Sequence, residues 1–161
     1  MSVLSKFFKY KYTCFWLFVP IIIFNIIFFQ RLPSHYLRDI SHYVVIIETI
    51  TRILTIVFSL IMIIHLKEKI EKIGLILYII GAFIYFLSYF AVIIFGNTLF
   101  GKNIIVVLAP YWTSVLWLIG IGLLGNKLFI KIPYHYSFYI ILSIVFGIIH
   151  TYHGYICYTI E

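Results

Sequence analysis

The chain has 161 residues, 64% of them hydrophobic and 11% charged, with a net charge of +7 and a mean hydropathy of +1.12. Soluble domains carry about 25% charged residues, so this composition excludes a soluble globular fold, and no segment is long and polar enough to form a separate soluble domain. The apolar residues run on continuously instead of alternating over about ten residues, which excludes a β-barrel.

Crossing about 30 Å of hydrocarbon takes roughly 17 to 25 helical residues. Five stretches have that length, at residues 13–29, 43–65, 73–95, 104–124 and 137–157. Their connections are short, so successive helices are antiparallel. The expectation is an all-α integral membrane protein: one domain over residues 1–161, built as a compact bundle of five transmembrane helices.

The first stretch follows Lys6, Lys9 and Lys11, as the apolar part of a signal peptide follows its basic start. The residues after it, "FFQRLPSH", offer no small-x-small cleavage site, and it reads as a retained helix. Its one strongly polar side chain is Asn25.

The second stretch contains "VVIIETITRIL", with Glu48 and Arg52 inside an apolar run. At about 100° per residue, Glu48, Arg52, Thr55 and Ser59 share one narrow stripe of the helix, which must face protein or water and not lipid. A charge at a helix centre costs about 2.5 to 3.5 kcal/mol on insertion scales. Glu four residues before Arg is the favourable spacing for an ion pair, which lowers that cost. The pair reads either as a structural clamp or as a site, since ionisable residues within spans are functional candidates.

In the third stretch Gly74, Tyr78, Gly81, Tyr85 and Ser88 form a face suited to close helix packing, with Tyr85 and Ser88 as candidates for a pocket wall. The fourth, "LAPYWTSVLWLIGIGLLG", holds Pro110, which removes a backbone donor and can open space beside Tyr111 and Trp112. In the fifth, "FGIIHTYHGYICY" places His150 and His153 three residues apart on one face, near Ser143, Gly147 and Gly154. Two histidines at that spacing could ligate a metal with Glu48. No further protein ligand is identifiable, so no metal and no cofactor are expected, and the histidines read as core hydrogen-bonding or proton-handling groups.

Orientation follows from the basic residues. With the N-terminus inside, eight (Lys6, Lys9, Lys11, Lys67, Lys69, Lys72, Lys127, Lys131) are inside and three (Arg31, Arg38, Lys102) outside, which favours N-in and C-out in a cell membrane. Anionic lipid at the cytoplasmic leaflet accounts for the net positive charge, so no nucleic-acid partner is expected. Cys14 and Cys157 fall at opposite faces, and a disulfide between them is not expected.

Counted along the helices, Asn25, Glu48, Arg52, Tyr85, Ser88, Tyr111, Trp112, His150 and His153 all fall in the outer half of the bundle. They suggest an outward-facing polar pocket with Glu48 and Arg52 at its floor, roofed by "QRLPSHYLRDISH" with His35, Arg38, Asp39 and His42. The function expected of it is binding of a lipid, small amphiphile or peptide, or of a membrane partner protein. Arg52 would meet an anionic group, Glu48 would orient it, and Tyr111 and Trp112 would line the apolar part. The alternatives are an intramembrane enzyme on a lipid-linked substrate, with Glu48 or His150 as base, and a proton-coupled transporter working as a dimer. Against the enzyme, HExxH, GxSxG, paired carboxylates and CxxC are all missing. Ser143 and Gly147 supply one small-xxx-small spacing that leaves oligomerisation open.

Overall fold

Hydrocarbon offers no water to peptide groups, so a chain this apolar must close its backbone hydrogen bonds within helices or a barrel. The computed structural model of the protein describes residues 13–31, 42–130 and 132–159. In chain order they form α1 (Phe18–Phe28, between 3-10 turns at Cys14–Leu17 and Phe29–Arg31), α2 (His42–Ile61), β1 (Met62–Ile63), α3 (Lys69–Phe95), α4 (Ile104–Leu124), β2 (Lys127–Leu128) and α5 (Tyr136–Thr159). Among the described residues, α2, α3, α4 and α5 are long and apolar enough to cross a membrane, and Cys14–Phe28 is a shorter apolar helical segment.

The fourth and fifth stretches match α4 and α5 closely, and the third gains four residues at its start. The first two differ more. Pro20 has no backbone N–H, and its ring is tolerated only in the first helical turn. The regular helix accordingly begins at Phe18, and the residues before it form a tighter 3-10 turn. The second helix stops at Ile61, four residues before the expected end, because Met62 and Ile63 leave it to pair antiparallel with Leu128 and Lys127. Thr13 bridges Ile63 on its other side. Three distant chain segments are thereby joined by backbone bonds at the end of the bundle that the lysine count places inside.

A buried carboxylate supports that same end. Glu71, in the first turn of α3, accepts hydrogen bonds from the backbone N–H of Lys67 and of Glu68, each at 2.9 Å, and from His65 Nδ1 at 2.8 Å. It caps amide donors that the start of a helix leaves without partners.

Helix packing follows the placement of small residues. Gly81 and Gly120 let α3 and α4 touch backbone to backbone: a Cβ on Gly81 would lie 2.6 Å from the Trp117 nitrogen, and one on Gly120 would collide with the backbone of Tyr78. Farther round, α4 packs on α5 and α5 on α2. Helix α1 is held differently, by large side chains on α3. Phe24 meets Phe86 at 4.4 Å and Tyr89 at 5.4 Å between ring centroids. The Tyr78 hydroxyl donates to the Leu17 carbonyl, and the Tyr85 hydroxyl to Asn25 Oδ1, both at 2.7 Å. Outer faces carry exposed Ile, Leu, Val and Phe along their length, such as Ile26, Ile53, Phe83 and Ile148, which suits a lipid surround.

Candidate functional site

The polar stripe of α2 turns inward. Glu48, Thr51, Thr55 and Ser59 are all buried. The three hydroxyls donate to carbonyls one turn back on their own helix, Thr55 to Arg52 at 2.7 Å and Ser59 to Ile56 at 2.6 Å, so they need no partner elsewhere. The Glu48 carboxylate does. Oε1 accepts from Arg52 Nη2 and, at 2.9 Å, from His150 Nδ1, while Oε2 accepts from His153 Nδ1. Helix periodicity sets up these bonds: Arg52 is one turn from Glu48, and His150 and His153, three residues apart on α5, both face it.

This arrangement fixes tautomers. An ionised carboxylate only accepts, so both histidines carry a proton on Nδ1. In the neutral ring each Nε2 is then an acceptor, and among the described residues neither has a hydrogen-bond partner. His150 is held between two rings, stacked on Phe146 at 5.1 Å and tilted against Tyr111 at 4.7 Å. The Arg52 guanidinium lies 5.9 Å from the centre of the Phe146 ring. The two members of the ion pair differ in exposure: the Arg52 side chain is 49% exposed and that of Glu48 4%. Arginine has five N–H donors, and Glu48 is the hydrogen-bond partner of Arg52 among the described residues.

These groups border a cavity of about 440 Å³ to which every helix contributes. Arg52, Glu48, the two histidines, Asn25 and Tyr85 are among its polar lining. Phe18 and Ile21 of α1, Trp117 and Leu118 of α4 and Phe146 of α5 make its apolar part. Counted by helix rise, Glu48 and His153 are roughly 9 Å, and Arg52 and His150 roughly 14 to 15 Å, from the shared end of α2 and α5. Leu118 is roughly 21 Å from the start of α4. Leu118 is therefore farther from that end of the bundle than the ion pair is.

Seven of the nine expected residues, Asn25, Glu48, Arg52, Tyr85, Tyr111, His150 and His153, line this one cavity. Two are elsewhere. Trp112 is on the outer surface of α4, 45% exposed. Ser88 is buried in the α3–α4 contact, bonded to Thr113 Oγ1 at 3.2 Å and to the Tyr85 carbonyl at 2.7 Å. Trp117 and Phe146 supply the aromatic wall in place of Trp112. Helix α4 runs without interruption through Pro110, whose ring borders the cavity. Of the expected roof, His42 is exposed at the start of α2, while His35, Arg38 and Asp39 are outside the described residues. Lys6, Lys9 and Lys11 are likewise outside them.

Two arrangements bear on chemistry. Among the described residues no group of three or more His, Cys, Asp and Glu side chains is placed to hold a metal ion; in the Glu48 trio the ligating atoms engage one another. The hydroxyls of Ser114 and Thr55, which could act as nucleophiles in the cavity, donate instead to the carbonyls of Tyr111 and Arg52. The chain matches no protein-family model, no curated protein and no solved structure.

Proposed function

We propose that the chain is a five-span membrane protein, N-terminus inside and C-terminus outside, that binds an amphiphile carrying an anionic group in the cavity between its helices. The observation that carries this reading is Arg52: a guanidinium anchored by one donor to Glu48 and half exposed at the cavity, whose remaining donors have no hydrogen-bond partner among the described residues. A cation in low-dielectric surroundings attracts an anion far more strongly than one in water. Glu48 fixes its position and already accepts from three donors, so it competes little for the arginine's other edge. A volume of about 440 Å³ falls within the roughly 300 to 1,000 Å³ of ordinary small-molecule sites.

Native mass spectrometry of gently solubilised protein tests this reading. A discrete bound mass is expected on the wild type and is lost in Arg52→Met, with helical circular dichroism unchanged. Identical adducts on both proteins, or none on either, would refute it.

A second reading, an intramembrane enzyme, is favoured by the two Glu48-oriented histidines, whose Nε2 atoms are placed to accept a proton in the way a base oriented by a carboxylate does. It ranks below binding because the Ser114 and Thr55 hydroxyls are bonded to carbonyls of their own helices, which leaves water as the nucleophile.

A further inference from the structure

The cavity walls indicate a route of entry. Most of its lining side chains are buried or half-buried, and the two with wide exposure are Ile22 of α1, at 37%, and Arg52 of α2, at 49% for its side chain. Both are near the middle of their helices, away from either end of the bundle. An opening between the midpoints of two apolar helices faces acyl chains and not water.

The polar groups at this opening also have a pattern. Arg52 offers only donors, and the Nε2 atoms of His150 and His153, with Nδ1 bonded to Glu48, offer only acceptors. A bare anion satisfies the arginine and leaves the histidines without a partner. A group that joins an anion to an O–H or N–H a few atoms away satisfies both.

Resting on the binding reading above, we infer that the ligand is a membrane phospholipid that enters sideways between α1 and α2, and whose head group pairs its phosphate with a hydrogen-bond donor. The phosphate sits on Arg52 and the donor on Nε2 of His150 or His153. The chain next to the head group lies against Phe18, Trp117 and Leu118. Phosphatidylglycerol and phosphatidylethanolamine have this head-group chemistry. Phosphatidylcholine has the phosphate, but its quaternary ammonium bears no N–H.

The test is lipid titration of the full chain in detergent, read by native mass spectrometry with chain-matched lipids. Phosphatidylglycerol and phosphatidylethanolamine should bind about tenfold more tightly than phosphatidylcholine, the worth of one hydrogen bond in a low-dielectric site. The double variant His150→Phe/His153→Phe should lose that preference; its rings keep the stacking on Phe146 and Tyr111. Ile22→Trp, a change at an exposed surface position that leaves the core untouched, should obstruct the opening and weaken all three lipids. Equal affinities for the three lipids overturn the head-group assignment and leave the binding reading standing. Unchanged binding in Ile22→Trp, or competition by soluble glycerol 3-phosphate as effective as that by the lipid, overturns sideways entry. Failure of every lipid and of glycerol 3-phosphate to bind overturns the binding reading as well.

Discussion

Glu48 and His150 are 102 residues apart in the chain and 2.9 Å apart in the fold. This contact, with those from His153 and Arg52, makes one carboxylate the meeting point of α2 and α5, and it gives the pair a structural role beside its place in the cavity. Removing either end of the Glu48–Arg52 bond has unequal consequences, because the carboxylate is buried and serves three donors while the guanidinium is half exposed and serves one acceptor.

Glu48→Ala should therefore lower stability by about 2 to 3 kcal/mol, the cost of leaving buried donors without an acceptor. Arg52→Met should cost less than about 1 kcal/mol, because two imidazole donors remain on Glu48 and the cost of holding a guanidinium in an apolar span is removed with it. Unfolding titrations of both variants in mixed detergent micelles measure the difference. Equal losses would show that the two histidines contribute nothing to holding the carboxylate.

The contact between α3 and α4 has no room for a methyl group at Gly120, where the obstacle is the backbone of Tyr78. Gly120→Ala should destabilise by about 1 to 3 kcal/mol, since the helices must separate. At Gly147 the obstacle is the Val115 side chain, which can change rotamer, so Gly147→Ala should cost less. The same unfolding titration ranks the two, and a harmless Gly120→Ala would mean that the helices are not in backbone contact.

Orientation can be read from single cysteines. Leu99, 94% exposed in the connection between α3 and α4, and Lys127, with a side chain 54% exposed at the other end, are on opposite faces of the proposed bundle. In intact cells a membrane-impermeant maleimide should label Leu99→Cys and spare Lys127→Cys, with Cys14 and Cys157 both buried and unreactive. The reverse pattern would invert the topology.

Apolar run length and helix periodicity make much of the molecule legible in its sequence. Long spans are visible because continuous hydrophobicity has no other stable reading, and the inward stripe of Glu48, Thr55 and Ser59 follows from turn geometry alone. Depth along a helix is legible too, since rise per residue is constant. Azimuth is harder. Trp112 and Tyr111 have the same depth, but the α4 residues that line the cavity, Pro110, Tyr111, Ser114, Trp117 and Leu118, cover an arc with Tyr111 at its edge, and Trp112 is about 100° beyond that edge. The helical spacing of Pro110, Tyr111 and Ser114, which share that arc, is the available signal. Ser88 is a subtler case. Its hydroxyl faces Thr113 on α4, a partner that no count along α3 can identify. The β1–β2 pair and the His65–Glu71 contact depend on chain segments brought together only by the finished fold.

The backbone pairing of Thr13 with Ile63, and of Met62–Ile63 with Lys127–Leu128, has a mechanical consequence for α1. That segment is joined by peptide hydrogen bonds at one end, and along its length it meets α3 through rings and two tyrosine hydroxyls and α4 through Phe18, edge-on to Trp117 at 5.2 Å. A rod fixed at one end swings as a lever, and its displacement grows with distance from the pivot. Ile22 is roughly 15 Å along the rod from Thr13, so a tilt of a few degrees at the ladder would change the width of the gap beside Arg52.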